Sequence, residues 1–375
     1  MACASTALIV GGGIAGLSAA VALARVGVQC DVVELADASG GASLALSGRA
    51  TEALDELGVY DACHARSTPF AAGTTASHQR DAQGRLISEG PQRPQWPGAK
   101  TPLGIHRPVL LEILEEAAQR LGAKVYRGVT TQTTVEDDDG VSVAMTDGHH
   151  GRYDFVVAAD GIGSRTRSRV FPEAPKPSYA GQFSFRWMLS GPPIDGEGWY
   201  IGPEGRLGFY HLPQDLIYVP AVIDLPEGAW LTDKDTLAHF ARLLDSYTAP
   251  AVVELRRRLT PDADLIARPF EWILLAAPWH RGRTLLIGDA AHATTAHMGM
   301  GGGMAIEDAV VLAQCVATTT TPAQAFDAFM ERRYTRVATV VETSVAMSRL
   351  EQEGAPTSRN MALASDAFKA LAQPY

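Results

Sequence analysis

The strongest constraint on the fold is a glycine-rich turn between an apolar strand and an apolar helix near the start of the chain. Residues 7–10 form a short apolar run, Gly11-x-Gly13-x-x-Gly16 follows, and residues 14–24 carry no charge. Residues 28–34 then give a second strand that ends at Glu34. Strand, glycine turn, helix and strand in this order predict a βαβ unit in which the two strands are parallel.

The spacing of this turn also predicts a dinucleotide site. Gly11 permits the tight turn, Gly13 lets the backbone approach a pyrophosphate at the helix N-terminus, and Gly16 lets helix and strand pack closely. Glu34 lies 18 residues after Gly16 and is placed to accept hydrogen bonds from ribose hydroxyl groups. A glycine-rich turn in a plain α/β domain is the alternative, and the turn alone does not distinguish NAD(P) from FAD.

Charge and cysteine usage narrow the class of protein. The chain of 375 residues has a formal net charge of −10, which opposes sequence-independent binding to nucleic acid or to an anionic membrane. Its four cysteines form no CxxC pair, which argues against a zinc ribbon and a redox-active dithiol. Glycines interrupt the uncharged stretch 7–24 and no basic residue precedes it, so we expect neither a membrane helix nor a signal peptide, and a cytoplasmic protein.

Two later motifs place an aspartate and a glycine at the end of an apolar strand. In the first, residues 155–159 lead to Asp160-Gly161, and Ser164 is able to cap the helix that follows. In the second, residues 284–287 lead to Gly288-Asp289, and a glycine-rich loop then reaches a helix near residue 304. A carboxylate after a buried strand suits ribityl or ribose hydroxyls, and a helix N-terminus suits the pyrimidine edge of a flavin, where negative charge collects on reduction.

Together, the three motifs resemble in order and spacing the class A flavoprotein aromatic monooxygenases, the para-hydroxybenzoate hydroxylase-like family. The family pattern continues in Arg107, in Trp279-x-x-Gly282-Arg283 and in Arg332-Arg333-x-x-Arg336. The resemblance implies an α/β fold, with a Rossmann-like FAD-binding domain of the GR2 type, an inserted and mainly antiparallel β-sheet substrate domain, and C-terminal helices. On this chain the expected FAD-binding domain is 1–70, 101–177 and 270–350, the substrate domain is 71–100 and 178–269, and a helical tail is 351–375.

The resemblance implies one FAD, with NADH or NADPH as co-substrate and O₂ as the source of the hydroxyl group. In this family a flavin C4a-hydroperoxide transfers OH to an electron-rich aromatic or N-heteroaromatic ring. The chain has no second Rossmann motif for the nicotinamide, in agreement with the family. The positions that match the family's cofactor-binding residues are Gly11, Gly13, Ala15, Gly16, Glu34, Arg49, Arg107, Asp160, Asp289, Gly299, Gly301, Gly302 and Gly303, with Asp160 expected between the flavin and the nicotinamide path.

The chain departs from the family in the loop after Asp289 and at the start of one helix. Ala296 stands where relatives usually have proline, which predicts a less rigid loop beside the flavin. Arg49 and Met300 stand where many relatives have Asn or Gln. These differences leave FAD binding intact as an expectation but weaken any inference about the substrate.

Four residues are candidates for activating the substrate ring. In residues 182–189, strand alternation places Arg186 on the face opposite Phe183, Phe185 and Trp187, where it holds a substrate carboxylate or polarises a ring oxygen, unless it forms an ordinary salt bridge. His211 and Tyr218 lie at the ends of neighbouring strands, and His297 lies in the glycine-rich loop. Each of the last three is a candidate to deprotonate a phenol or ring N–H, whereas His292 is expected to be structural.

Several functional alternatives remain open at this level. A flavin halogenase and a dithiol reductase each need a motif that the chain lacks, and an amine oxidase shares the first motif of this chain but not the Asp160-Gly161 and Gly288-Asp289 pair. A same-family epoxidase or N-hydroxylase and a non-catalytic flavin-binding sensor are compatible with the same residues. The expected partners are a small aromatic substrate and O₂, without nucleic acid or membrane, and the chain is expected to be a monomer or a homodimer.

Overall fold

The first layer of the fold is a six-stranded sheet. The computed structural model describes residues 2–36, 41–69, 78–91, 93–94 and 96–375. In spatial order the strands are β18 (His280–Arg281), β19 (Thr284–Leu286), β12 (Phe155–Ala158), β1 (Thr6–Val10), β2 (Gln29–Glu34) and β8 (Lys124–Arg127). All neighbours are parallel except β18 and β19. The predicted βαβ unit is therefore present as β1, α1 (Ile14–Arg25) and β2.

The two faces of this sheet are covered differently. One face packs against helices. The helices that do not belong to the second layer are α1, α2 (Arg49–Glu56), α3 (Tyr60–Ala65), α4 (Arg107–Arg120), α5 (Arg165–Val170), α8 (Asp289–His292), α9 (Gly301–Thr318), α10 (Pro322–Gln352) and α11 (Thr357–Leu371). The other face packs against a three-stranded antiparallel sheet of β11 (His150–Tyr153), β10 (Gly140–Met145) and β9 (Thr131–Asp137). Side chains alternate between the two faces, so Ile9 contacts the helices whereas Leu8 contacts the small sheet.

The second layer is a seven-stranded, mainly antiparallel sheet. Its spatial order is β17 (Leu265–Trp272), β13 (Ser178–Ser190), β16 (Leu216–Asp224), β15 (Gly205–Leu212), β14 (Gly198–Gly202), β5 (Gln79–Asp81) and β6 (Leu86–Ser88). Among the described strands of this second sheet, β14 and β5 form the one parallel pair. A further small sheet is formed by β3 (Ser43–Leu46), which precedes α2, together with β7 (Leu103–His106) and β4 (Thr68–Pro69), which lie between α3 and α4 in the chain.

Strand alternation separates a core face from a second face in this sheet. Phe185, Trp187 and Phe209 are buried against the helices α6 (Asp233–Asp245) and α7 (Pro250–Arg258), where Phe240 completes an aromatic cluster. The intervening residues, including Arg186, point away from this core. The predicted α/β fold with an antiparallel sheet and C-terminal helices is confirmed.

The structure adds elements that the sequence pattern did not predict. β3 and β17 were not expected, whereas α11 lies in the expected C-terminal helical tail, and its Phe368 and Leu371 join the core of the first layer. Within the part of the chain that the structure describes, no helix combines the length and the apolar surface that a bilayer span requires.

Candidate functional site

The glycine turn between β1 and α1 leaves the start of α1 open. Gly11 has φ +110°, and a Cβ there would collide with the carbonyl oxygen of Ala159 at the end of the neighbouring strand. A Cβ on Gly13, the N-cap of α1, would meet no described atom within 4 Å. The first N–H groups of the 12-residue helix therefore face free space. This cradle fits the pyrophosphate of a dinucleotide.

Glu34 is fixed beside this turn by backbone hydrogen bonds. Its Oε2 accepts from the N–H of Gly12 at 2.6 Å, and its Oε1 accepts from the N–H of Ala36 at 2.8 Å. A carboxylate offers about four lone-pair positions, so each oxygen keeps one for a further donor. The contacts thus orient the carboxylate without saturating it, which suits ribose hydroxyls as its remaining donors.

Asp289 follows a turn that packs directly on α1. Gly288 has φ +57°, and a Cβ there would lie 2.8 Å from the Cβ of Ala15. Small residues at both positions therefore let the turn approach the helix. Asp289 is exposed, but within a cleft: the surrounding protein raises the pKa of its carboxyl, while positive charge from His292, Arg107 and Arg186 acts in the opposite direction.

A buried charged network holds this turn from behind. Asp308 on α9 accepts from the N–H of Gly288 at 3.0 Å, from Nε2 of His292 at 2.6 Å and from Nε of Arg333 at 2.8 Å. Nη1 of Arg333 also donates to Glu307 at 2.7 Å, and Arg333, Glu307 and Asp308 are all fully buried. Burial alone would raise the pKa of Asp308, but His292 and Arg333 hold it below its usual value.

The sequence analysis did not assign this network, although it singled out both segments. The structural role expected for His292 agrees with its contact to Asp308. Glu307-Asp308 were visible as the charged pair of an otherwise apolar helix, a pattern that indicates buried ion pairs, whereas Arg333 lies among several other charged residues of α10.

A second helix N-terminus points to the same region. α9 begins at Gly301 after the N-cap Met300, and a Cβ on Gly299 would meet no described atom within 4 Å. Gly302 faces Ile14 of α1, and a Cβ on Gly303 would lie 2.9 Å from the Cβ of Ala50. Glycines thus allow the start of α9 to approach both α1 and α2. Its free N–H groups suit the electron-rich edge of a flavin.

Arg107 lies where the cofactor motifs converge. Its backbone N–H donates to the oxygen of Ala42 at 2.9 Å, and its side chain packs against Gly41, where a Cβ would lie 2.7 Å from Cδ of Arg107. Burial lowers the pKa of Arg107, as does the nearby Arg186, whereas Asp289 and Glu34 raise it. Residues from four separate segments, Glu34, Arg107, Arg186 and Asp289, therefore lie close enough to interact electrostatically.

Two predicted cofactor residues are instead engaged by protein partners. Asp160 accepts from Oγ of Ser164 at 2.5 Å and from the N–H of Thr166 at 3.0 Å, so its carboxylate organises the start of α5. Arg49 pairs with Glu52 at 2.5 Å, donates to the oxygen of Ala372 at 2.8 Å, and stacks on Trp96. These contacts give both residues a structural role and leave a cofactor role without support from their geometry.

One face of the second layer is turned toward the cofactor cleft. Arg186 on β13 and Tyr218 on β16 lie on this face, and the charge of Arg186 reaches Asp289. Tyr210 on β15 is the direct strand partner of Tyr218, and Met188 is its partner on the other side. Burial raises the pKa of Tyr218, so its phenol keeps its proton at neutral pH. The sequence analysis did not propose Tyr210, because its pairing with Tyr218 across two strands becomes visible only in the folded sheet.

The structure corrects the expectation for His211. Alternation along β15 places His211 with Phe209, on the face covered by α6 and α7 and away from the cleft. Its Nδ1 lies 2.8 Å from Glu197, and its Nε2 accepts from the N–H of Ile194 at 3.0 Å. Both ring nitrogens are therefore engaged, and the prediction that His211 activates the substrate is wrong.

His297 also lies outside the open cleft. Its imidazole is completely buried, with Nδ1 at 2.8 Å from Oγ1 of Thr295 and Nε2 at 3.2 Å from Glu351. Glu351 in turn pairs with Arg206 of β15 at 3.2 Å. Burial lowers the pKa of His297. These contacts make His297 a link between the glycine-rich loop, α10 and the second layer, and do not support its predicted contact with substrate.

Comparison with known proteins identifies the relatives of this chain. Residues 4–344 match the family described as FAD binding domain. The aurachin C monooxygenase/isomerase of Stigmatella aurantiaca is 32% identical over 83% of this chain and 80% of that protein. The FAD-dependent urate hydroxylase of Klebsiella oxytoca is 31% identical over 82% of this chain and 80% of that protein.

A solved structure has the same fold over nearly the whole chain. The crystal structure of Klebsiella pneumoniae HpxO complexed with FAD and uric acid superposes with a TM-score of 0.81 and 25% sequence identity. The match covers 98% of this chain and 97% of that protein. Both layers of the present fold therefore have counterparts in a protein that binds FAD.

Proposed function

Since the chain belongs to the family of FAD-dependent class A monooxygenases, we propose that it hydroxylates a small aromatic or N-heteroaromatic substrate at the expense of O₂ and NADH or NADPH. The observation that carries the proposal is the convergence of Arg107, Asp289 and Arg186 on one cleft between the two layers. Cofactor residues come from the first layer and ring-activating residues from the second. The predicted cofactor, FAD, is confirmed.

The cofactor supplies the redox chemistry, and the protein supplies binding and orientation. FAD bound at this site would supply the redox chemistry by which substrate, NAD(P)H, H⁺ and O₂ give hydroxylated substrate, NAD(P)⁺ and water. Two open helix N-termini, at Gly13 and Met300, would hold its pyrophosphate and its pyrimidine edge. Glu34 and Asp289 would accept hydrogen bonds from its hydroxyl groups.

Arg186 and Tyr218 are the residues we assign to ring activation. A guanidinium beside a phenol or ring N–H favours the ionised substrate, which has the higher electron density at the carbon that receives oxygen. Tyr218 keeps its proton on Oη because burial raises its pKa, so it donates a hydrogen bond to that ionised oxygen.

The test is stimulated oxidation of NAD(P)H by the purified FAD-loaded protein. A panel of small aromatic and N-heteroaromatic compounds is scored for NADH and NADPH oxidation, and products are examined for ¹⁸O from ¹⁸O₂. We expect at least one compound to accelerate oxidation and to gain one labelled oxygen. A yellow protein that oxidises neither nucleotide with any compound would instead be a flavin-binding sensor.

A further inference from the structure

A narrow pocket opens beside the cofactor cleft, and apart from Met300 the residues named for its wall have no role in the function proposed above. It is lined by Ser47, Arg93, Trp96, Met300, Phe368 and Leu371, and it has a volume of about 40 Å³. A cavity of this volume holds on the order of three water molecules. It is therefore too small for an aromatic ring and large enough for a small polar group.

Arg93 brings an uncompensated positive charge into this pocket. Its Nη1 donates to Oγ of Ser47, and its guanidinium lies 4.3 Å from the centre of the Phe368 ring. Burial lowers the pKa of Arg93 to about 10, so the group is still a cation at neutral pH. Among the described residues, no carboxylate forms an ion pair with Arg93.

The other cations of the pocket wall are neutralised. Arg49 pairs with Glu52 at 2.5 Å, and Lys100 pairs with Asp55 at 2.9 Å. Arg93 alone thus gives the described part of the pocket one surplus positive charge. A half-buried cation that is held in place but has no counter-ion among the described residues is available to bind an anion.

The pocket is connected to the proposed reaction site. Met300 lines the pocket and is also the N-cap of α9 at the cofactor cleft. Arg93 is close enough to Tyr210 for the two side chains to interact electrostatically, and Tyr210 is the strand partner of Tyr218. A ring lying against Tyr218 would therefore have the pocket within reach of a short substituent.

We propose that the pocket binds the carboxylate of an aromatic acid through Arg93, while the ring of that acid lies in the cleft. The proposal rests on the proposed function and specifies its substrate class. Ser47 accepts from Nη1 only, so further guanidinium N–H groups are available for bidentate binding of a carboxylate. The stacked Phe368 ring fixes the plane of the guanidinium. One surplus charge and the small volume match a monoanion better than a phosphate.

The experiment measures binding to the FAD-loaded protein rather than turnover. Matched acid and amide pairs are titrated by flavin absorbance and by equilibrium dialysis: 4-hydroxybenzoate with 4-hydroxybenzamide, 2-aminobenzoate with 2-aminobenzamide, and 6-hydroxynicotinate with its amide. The proteins are the wild type, Arg93→Met, Arg93→Lys and Arg85→Met. Arg85 is an exposed arginine of the same segment, so its replacement removes the same charge at a distance from the pocket.

We expect the wild type and Arg85→Met to bind at least one acid tighter than its amide. Loss of a hydrogen-bonded charge pair corresponds to roughly a 10- to 150-fold weaker affinity. Arg93→Met should lose this preference, and Arg93→Lys should retain part of it. The midpoint of thermal unfolding without ligand should change little in Arg93→Met, because methionine keeps the apolar contact with Phe368 and the arginine is only half-buried.

Three results would overturn the inference: equal binding of acid and amide by the wild type, a preference that survives in Arg93→Met, or binding of no acid in the panel. Failure of the proposed function is a separate outcome. In that case the acids bind with the Arg93-dependent preference but stimulate no oxidation of NADH or NADPH.

Discussion

Asp289 is positioned by small residues in front of its turn and by a buried carboxylate behind it. Ala15 and Gly288 allow the turn to reach α1, and Asp308 fixes the backbone of that turn through the N–H of Gly288. Its own carboxylate is exposed in the cleft. The side chain therefore contributes little to packing, and its removal should affect the ligand more than the fold.

Asp289→Ala should weaken FAD binding while leaving the protein folded. A hydrogen bond to a charged group contributes about 1.5–3 kcal/mol, which is roughly 10- to 150-fold in the dissociation constant. Titration of the apoprotein with FAD, followed by quenching of flavin fluorescence, measures the effect. Asp245→Ala, which removes an exposed carboxylate of α6, is the control and should bind FAD like the wild type. Unchanged affinity in a folded Asp289→Ala protein would remove Asp289 from the site.

His211→Ala should affect stability and leave product yield unchanged, whereas Tyr218→Phe should lower product yield and leave packing unchanged. The first leaves the N–H of Ile194 without its acceptor, so the free energy of unfolding should fall by about 1–3 kcal/mol, with an unchanged yield of product per NAD(P)H. The second keeps the packing but removes a donor from the cleft, so it should lower product yield and release hydrogen peroxide. Urea unfolding and product analysis measure the two effects. Uncoupling in His211→Ala would restore the histidine as the activating group.

The sequence predicted cofactor residues better than substrate residues for a physical reason. Gly11, Gly13 and Glu34 act through local backbone geometry that a single βαβ unit determines. The face of His211 depends on how far its strand extends, and β15 continues past His211 to Leu212. Tyr210 and Arg93 become functional candidates only when segments distant in the chain come together.

At the scale of elements, the first half of α9 is held by α10 through the buried Arg333, and Arg336 also pairs with Glu307 at 2.7 Å. Arg333 contacts Glu307 and Asp308, and both carboxylates are fully buried. β17 shows how such context overrides local rules. Pro269 argues against a strand, but β17 is an edge strand of its sheet, where a missing N–H is tolerated.

Arg333→Met should destabilise the protein strongly and change its response to pH. Removing one partner of a buried ion pair costs about 3–5 kcal/mol. Folding lowers the pKa of Asp308, so its carboxylate stabilises the wild-type protein fully above pH about 4, which is the pKa of an unfolded aspartate. This stabilisation is lost as the pH falls through the lower pKa of Asp308 in the folded protein. Without Arg333 the buried carboxylate of Asp308 loses a positive partner, so its pKa rises. Protonation at lower pH then removes the buried negative charge and stabilises the variant. The stability gap between variant and wild type should therefore narrow between pH 7 and pH 5.

Urea unfolding at the two pH values measures this gap. Arg332→Met is the control, because Arg332 is the exposed neighbour on the same helix and should show a small effect at both values. A gap that widens on acidification would contradict the assignment of Asp308 as a charged partner of Arg333.

At the scale of the whole molecule, two separate cores meet across the cleft. The Arg206–Glu351 ion pair and the buried His297 connect the second layer to α10 and to the loop before α9. The cofactor motifs border the same junction. A ligand held there stabilises the folded state by mass action, since the unfolded chain has no assembled site.

FAD should therefore raise the thermal stability of the apoprotein, and FMN should not. At a free FAD concentration of one hundred times its dissociation constant the gain is about 2.7 kcal/mol. FMN lacks the adenosine and the pyrophosphate that the β1–α1 turn and Glu34 are shaped to bind. Differential scanning fluorimetry with each nucleotide measures the shift. An equal shift with FMN would argue against a dinucleotide site.

The alternation of side chains in β13, β15 and β16 bears on how such an enzyme diverges in evolution. Phe185, Phe209 and Val219 face the α6–α7 core, whereas Arg186, Tyr210 and Tyr218 face the cleft. Mutations on the cleft face change which substrate binds, and they leave the packing of the hydrophobic core on the opposite face unchanged. A lineage built on this sheet is therefore free to explore new substrates by single substitutions without passing through unfolded intermediates.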